Sequence, residues 1–288
     1  MQPVLRFAPS PTGYLHLGHV RSAMIGHRLA RRMGGRFLLR IEDTDLTRCR
    51  PEYEAAIVDD LAWLGLDWDG PMRRQSDHLA DYQFHIDRLA RQGLLYPCFA
   101  TRREIVAAAA PRPAALDPDG APIYPGLHRG LGTEEIAQRQ AAGEPFALRL
   151  DMAKSLARAA GKLRETPLAF ASFEESGDER HVLARPQDWG DVVIVRKETG
   201  VSYHLAVVVD DALQGVTHVT RGADLERATD LHRLLQVLLD LPAPRYHHHP
   251  LIFDASGRKL AKRDGAEALR TLRSRGATPG DVRRLAGV

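Results

Sequence analysis

At 288 residues, with 44% hydrophobic and 27% charged residues, the chain has an ordinary globular balance and exceeds the usual size of one domain. Its formal charge of +3 is spread along the whole length, which permits an anionic partner without demanding one. Two cysteines exclude a disulfide framework. With no signal-peptide pattern and no apolar stretch of membrane-spanning length, a soluble cytoplasmic protein is expected.

Val4 to Ala8 reads as a short buried strand, broken by Pro9, Pro11 and Gly13. From Gly18 the pattern turns helical: Ile25, Leu29 and Met33 recur at four-residue spacing, and Gly34-Gly35 closes the helix. Arg36 to Ile41 is a second strand. Pro51 starts a second helix with Glu52 and Glu54 in its first turn, where the helix dipole favours negative charge. A third helix runs from about His78 to Gln92 and stops at Gly93. Strand, helix, strand, helix predicts a parallel α/β sheet.

After Tyr96 the texture changes. Ala107 to Pro125 is rich in Ala and Pro and reads as a surface excursion, while Phe146, Leu148 and Leu150 alternate like a half-buried strand. Val192 to Val195 and Leu205 to Val209 read as buried strands, and a helix carrying Leu231, Leu234, Leu235 and Leu238 follows. The expected division is residues 1–95 for the first half of a Rossmann-like domain, 96–185 for an α+β insertion, 186–250 for the second half, and 251–288 for a loop and short helical tail.

Two segments carry chemistry. His16-Leu17-Gly18-His19 lies where a strand feeds a helix, the place where α/β sheets bind ligands. A helix N-terminus with a close-approach glycine and two imidazole donors suits a phosphate. Arg258-Lys259-Leu260-Ala261-Lys262-Arg263 is a basic run between Gly257 and Gly265, able to neutralise a triphosphate. Taken alone, the first also reads as loop histidines satisfied by their own surroundings, and the second as a solvated surface.

Together, at opposite ends of one α/β fold, the two segments resemble the HIGH and KMSKS motifs of class I aminoacyl-tRNA synthetases. Arg6-Phe7-Ala8-Pro9-Ser10-Pro11-Thr12-Gly13, Arg40-Ile41-Glu42-Asp43-Thr44-Asp45 and Gly215-Val216-Thr217-His218-Val219-Thr220-Arg221-Gly222 resemble the glutamyl branch in particular. The resemblance runs from about residue 4 to 266. It implies a class I Rossmann-like parallel sheet with an insertion, and ATP, accompanied by Mg²⁺, as the activating substrate. It also implies that L-glutamate is held along Arg6, Phe7, Ala8, Pro9 and Ser10, with Arg6 and Arg221 on carboxylates, Glu42 on the ammonium, and Ser10 and Tyr203 adding hydrogen bonds. His16, Gly18 and His19 would meet ATP, and Lys259 and Lys262 the departing pyrophosphate. From the residues alone, Glu42 reads as a surface ion pair with Arg40 or Arg48, and Tyr203 as a core aromatic at a strand edge.

Residues 264–288 are too short for the anticodon-reading domains that follow the KMSKS loop in glutamyl-tRNA synthetases. With Ser202 to Asp211, this brings the chain closer to the glutamyl-queuosine tRNA(Asp) synthetases. That resemblance implies transfer of glutamate to the queuosine base in the anticodon stem-loop of tRNA(Asp), with no membrane partner and a monomeric enzyme. A truncated glutamyl-tRNA synthetase charging the 3′ end of tRNA(Glu), or a non-catalytic glutamyl-adenylate-binding module, are the competing readings. Related enzymes often place zinc in the insertion. Here Cys98, Tyr124 and His128 leave the set one ligand short, with Ala100 where a second cysteine would stand, so zinc is not expected. His247-His248-His249 reads as a strand end beside Pro250, since consecutive side chains in a strand point to opposite faces.

Overall fold

The structure, a computed structural model, describes residues 2–110, 115–198, 200–253 and 267–288. The run from Asp254 to Ala266, which includes Lys259 and Lys262, lies outside the described residues.

The chain opens with β1 (Val4–Phe7), α1 (Leu17–Arg32), β2 (Arg36–Ile41), α2 (Pro51–Trp63), β3 (Arg73–Arg74) and α3 (Leu79–Arg91). The second strand coincides with the range read from the sequence, and the second helix starts at Pro51 as expected. Gly35 is fixed by contact: a Cβ there would stand 2.5 Å from the Pro3 carbonyl oxygen, so only glycine lets β2 begin beside the start of β1. Next come β4 (Leu95–Cys98), α4 (Arg102–Ala109), α5 (Thr133–Ala141), β5 (Ala147–Leu150), α6 (Met152–Leu163), β6 (Ala169–Phe173) and β7 (Glu179–Leu183). The remainder holds β8 (Val193–Arg196), β9 (Gly200–Val201), α7 (Tyr203–Leu213), β10 (His218–Gly222), α8 (Ala228–Leu239), β11 (Arg245–His249), α9 (Leu269–Ser274) and α10 (Pro279–Ala286).

The strands β1, β2 and β3 pair in parallel. On the other side of β1 lies β10, tied to it where the Thr217 amide donates to the Val4 carbonyl at 2.9 Å and the Val4 amide donates to the Thr217 hydroxyl at 2.8 Å. β11 and β6 extend this side in parallel, and β7 closes it antiparallel. Strand order therefore reverses between β1 and β10. In open α/β sheets the crevice at the carboxyl ends of two such strands is where ligands bind.

Strand membership departs from a simple reading of one inserted block. β6 and β7 join the parallel sheet, whereas β8 pairs antiparallel with β5, and β9 with β8, in a separate sheet of order β4-β5-β8-β9. A buried-strand pattern shows that a segment pairs but not with what.

One element differs outright. Leu205 to Val209, expected as a strand, lies in helix α7. Every residue from Leu205 to Asp211 is buried, so the run lacks the polar face that would have revealed a 3.6-residue period. The helix is packed between α3 and α8. Tyr203 is accordingly the first residue of a helix and not an aromatic at a strand edge.

Residues 267–288 supply α9 and α10, which pack onto the first half of the sheet. Leu269 and Val282 are fully buried with Leu15, Leu29 and Leu61, and the Leu269 amide donates to the Leu15 carbonyl at 2.7 Å. Among the described residues no helix is long and apolar enough to cross a membrane.

Candidate active site

At the carboxyl ends of β1 and β10 the structure opens a cavity of about 510 Å³. Its wall includes Arg6, Phe7, Ala8, Pro9 and Ser10 from β1 and the following loop, His16, Gly18 and His19 at the start of α1, Glu42 after β2, Tyr203 from α7 and Arg221 from β10. Every site residue expected from the sequence that falls within the described residues, the weak metal candidates aside, lines this one cavity. Lys259 and Lys262 lie outside the described residues, yet the chain on both sides of their segment borders the site: Leu251 and Ile252 line the cavity, and Ala268 bridges to His16.

The start of α1 explains why two histidines stand there. His16 is the N-cap. Its Nδ1 accepts the Gly18 amide at 3.1 Å, and the His19 Nδ1 accepts the His16 amide at 3.2 Å, the reciprocal arrangement of a capping box. An imidazole nitrogen that accepts carries no proton, so each neutral ring bears its hydrogen on Nε2 and becomes a donor. The rings lie 3.8 Å apart between centroids. Two Nε2–H groups beside the positive end of a helix make a site for an anionic oxygen.

The opposite wall is a buried ion network. Asp211 Oδ1 accepts from Arg6 Nε at 3.0 Å and from Arg40 Nη1 at 2.8 Å, and Arg40 Nη2 donates to Glu42 at 3.1 Å. The Arg40 side chain is wholly buried and that of Glu42 nearly so. The expected Glu42–Arg40 pair thus exists, but inside the cavity wall and not on the surface. Burial drives the Glu42 carboxyl above its ordinary value, with Arg40 and Arg6 opposing the rise. Burial pushes Asp211 the same way, and there Arg6 and Arg40 prevail and hold it below the usual range. Asp210, adjacent on α7, accepts from Arg73 at 2.8 Å, Gln75 at 2.7 Å and Tyr82 at about 3 Å. Asp210 and Asp211 were not singled out in the sequence as site residues. The only signal was a pair of carboxylates ending an otherwise apolar run.

Arg221 is different. Its Nε donates to His248 Nε2 at 3.3 Å, Nη1 to His232 Nδ1 at 3.3 Å and to the Tyr203 hydroxyl at 3.4 Å, and Nη2 to the Thr229 hydroxyl at 2.6 Å. Arg221 is 5% exposed, and no carboxylate among the described residues forms an ion pair with it. Glu42, Asp210 and Asp211 are taken up by Arg6, Arg40 and Arg73. A buried guanidinium surrounded by neutral acceptors is a standing site for an anion.

The imidazoles around it are neutral. Burial, reinforced by the Arg221 charge, lowers His204 to about 4 and His248 to about 3, and carries His232 well below its usual value. Above about pH 6.5 these groups are uncharged in both the folded and the unfolded chain. As pH falls below that point the unfolded chain takes up protons that the folded chain refuses, so stability declines. The thermal midpoint is expected to be flat from pH 8 to 7 and to fall by about 5 °C or more between pH 6.5 and 5, measured by calorimetry. A constant midpoint across that interval contradicts a neutral imidazole shell.

The weak metal candidates of the insertion satisfy one another. The Cys98 thiol donates to the Tyr124 hydroxyl at 3.3 Å, that hydroxyl accepts the His128 amide at 2.8 Å, and His128 Nδ1 accepts the amides of Phe99 and Ala100. The Arg149 guanidinium stacks 3.9 Å from the Tyr124 ring centroid, placing a cation where a metal ion would be repelled. Among the described residues no three His, Cys, Asp or Glu side chains are grouped to hold a metal. Of the three consecutive histidines, His248 meets Arg221, while His249 contacts Ser22 at 2.7 Å, as expected for a strand whose side chains alternate in direction.

Residues 3–281 match the family described as tRNA synthetases class I (E and Q), catalytic domain. A glutamyl-Q tRNA(Asp) synthetase of Rhodobacter capsulatus is 52% identical over 99% of this chain and 100% of its own length. One of the same description from Symbiobacterium thermophilum is 41% identical over 96% of this chain and 83% of its own. A glutamate tRNA ligase of Elizabethkingia meningosepticum, solved with its amino acid, superposes with a TM-score of 0.72 at 30% identity, covering 92% of this chain and 53% of that one. This chain therefore spans about half the length of that ligase.

Proposed function

Because the chain belongs to the class I (E and Q) tRNA synthetases, and within them to the glutamyl-Q tRNA(Asp) synthetases, we propose that it activates L-glutamate with ATP and transfers the glutamyl group to the queuosine base in the anticodon of tRNA(Asp). The observation that carries the glutamate reading is Arg221: a buried cation with no carboxylate partner among the described residues, in the same cavity as a buried carboxylate and a phosphate-suited helix start.

Glutamate brings two carboxylates and one ammonium. Its side-chain carboxylate belongs on Arg221 and the Tyr203 hydroxyl, because it takes no part in the reaction and is best held in a rigid fork. The ammonium belongs on Glu42, and Arg6 and Ser10 steady the α-carboxylate. An oxygen of that carboxylate attacks the α-phosphorus of ATP. The bond to the bridging oxygen breaks, and pyrophosphate leaves with its electron pair. The carboxylate is already a nucleophile, so the protein supplies position and charge. His16 and His19 donate through Nε2 to the α-phosphate oxygens, where charge builds up. Lys262, with Lys259, neutralises pyrophosphate, and Mg²⁺ enters as the ATP complex, held by phosphates and water. In the second step a hydroxyl of the cyclopentenediol attacks the acyl carbon, AMP leaves, and an ester forms. All groups assigned come from a single chain, which supports action as a monomer.

The test is to incubate the enzyme with labelled glutamate, ATP and total tRNA and to map the label by nuclease digestion and mass spectrometry. Label on the modified anticodon base of tRNA(Asp) is expected. Label confined to a 3′-terminal adenosine makes the enzyme a charging ligase, and no labelled nucleotide removes the transfer step.

A further inference from the structure

The resemblance to glutamate-handling synthetases assigns a carboxylate to Arg221 but says nothing of what surrounds that arginine. In a buried site the commonest way to satisfy a guanidinium is a carboxylate of the protein itself, as Asp211 does for Arg6 and Arg40. Around Arg221 the chain instead supplies three imidazoles, a threonine and two tyrosines. His232 and Thr229 come from α8, Tyr203 and His204 from α7, and His248 and Tyr246 from β11.

The hydrogen bonds from Arg221 fix the tautomers of the imidazoles that meet it. A guanidinium only donates, so His232 Nδ1 must accept. Its proton then sits on Nε2, which stands 3.3 Å from His204 Nδ1 and donates to it. His248 Nε2 likewise accepts from Arg221 Nε, and its proton sits on Nδ1. The Thr229 hydroxyl accepts the Nη2 proton at 2.6 Å and lies 3.1 Å from His248 Nε2, whose single lone pair it shares with Arg221 Nε. Tyr246 lies beneath, its ring centroid 5.2 Å from the guanidinium carbon, and the Trp189 ring packs edgewise on His204 at 5.4 Å. Each contact orients the fork, and none neutralises it.

We propose that His232, supported by His204 and His248, is a positioning and specificity-determining residue that holds Arg221 in place without discharging it, so that the cavity selects an amino acid with a side-chain carboxylate over the corresponding amide. The inference rests on the reading of Arg221 as the carboxylate binder. The physical basis is a difference in binding: a carboxylate meets an uncompensated cation in a desolvated wall, whereas the amide of glutamine brings only a dipole and a pair of donors that face other donors.

The sharpest test puts a competing anion into the shell. In His232→Glu the new carboxylate pairs with Arg221. The KM for glutamate in ATP–pyrophosphate exchange is expected to rise at least about 30-fold, with the KM for ATP within about threefold of wild type. The ratio of kcat/KM for glutamate to that for glutamine is expected to fall by at least tenfold (~1.4 kcal/mol). His232→Gln, which keeps an acceptor oxygen toward Nη1 and adds no charge, is expected to retain the glutamate KM within about threefold, whereas His232→Leu, which offers no acceptor, raises it about tenfold. A folded His232→Glu enzyme with unchanged glutamate KM and unchanged selectivity overturns the proposal. Should His232→Glu fail to fold, equal glutamate KM values for the Leu and Gln variants overturn it. Arg221→Met separates the two claims: if that change leaves glutamate KM intact, the carboxylate reading itself fails, and if it abolishes glutamate use while the His232 variants are inert, only the shell's role fails.

Discussion

Replacing Arg221 with methionine is expected to lower kcat/KM for glutamate by a factor on the order of 10²–10³ while leaving the thermal midpoint within about 2 °C of wild type. The first figure follows from losing a charge-assisted, forked contact in a desolvated wall, which costs about 3–4 kcal/mol. The second follows because no carboxylate among the described residues pairs with Arg221: its charge acts on neighbouring imidazoles that are neutral without it, and an unbranched apolar chain fills its space. Its hydrogen bonds to His232, His248 and Thr229 are lost, but the partners retain one another through the Thr229–His248 and His204–His232 contacts. Arg221→Lys is expected to fall between, since a point charge retains attraction without the fork. Steady-state exchange kinetics with a thermal melt checks both halves. A large fall in midpoint marks Arg221 as a structural ion and contradicts its place as the substrate's cation.

Asp211→Ala should behave in the opposite way. That side chain is the shared partner of Arg6 and Arg40, both almost wholly buried. Removing it takes from Arg6 its buried carboxylate and leaves Arg40 with Glu42 and Asp210, and losing one partner of a buried pair typically costs about 3–5 kcal/mol. Against the 5–15 kcal/mol available to a folded protein, that is a large fraction. The expected result in urea is a midpoint lowered by more than a third, together with loss of activity, because Arg6 and, through Arg40, Glu42 lose their alignment. Asp211→Asn keeps an acceptor oxygen and should cost about half as much. A loss below about 1 kcal/mol for Asp211→Ala shows that the arginines find other partners and that the wall is not held as described.

The contrast between these residues also shows what a sequence discloses. Pro51 and Gly34, the latter at a positive φ of 62°, act on their own neighbourhood, so the helices they bound are legible in a dozen residues. The capping histidines are local too: His16 and His19 are three residues apart, and the two hydrogen bonds of the capping box close within that turn. Arg6 and Asp211 are separated by 205 positions and meet only because β1 and α7 come together in the folded core. No spacing rule could pair them. Arg221, Tyr203 and Glu42 were legible through resemblance to a family, not through their surroundings, which is why the imidazole shell went unseen. His232 lies on an unremarkable leucine-rich helix, and His248 was hidden in a histidine run whose neighbours point away. Helix α7 reads as a strand because its middle is buried all round: Leu205 to Val209 carries the composition of a core strand and shows no exposed face from which a helical period could be read. The parallel sheet was legible as strand-helix alternation, but the passage of β6 and β7 into it, and of β8 and β9 out of it, depends on pairing partners far away in the chain.

The account stands or falls on where glutamate sits, and a crystal structure with L-glutamate and a non-reactive ATP analogue measures that directly. The expected density places the side-chain carboxylate within hydrogen-bond reach of Arg221 and the Tyr203 hydroxyl, the ammonium against Glu42, and the α-carboxylate turned toward the phosphate beside His16 and His19. Glutamate bound with its side chain directed away from Arg221, or bound outside the cavity between β1 and β10, contradicts it.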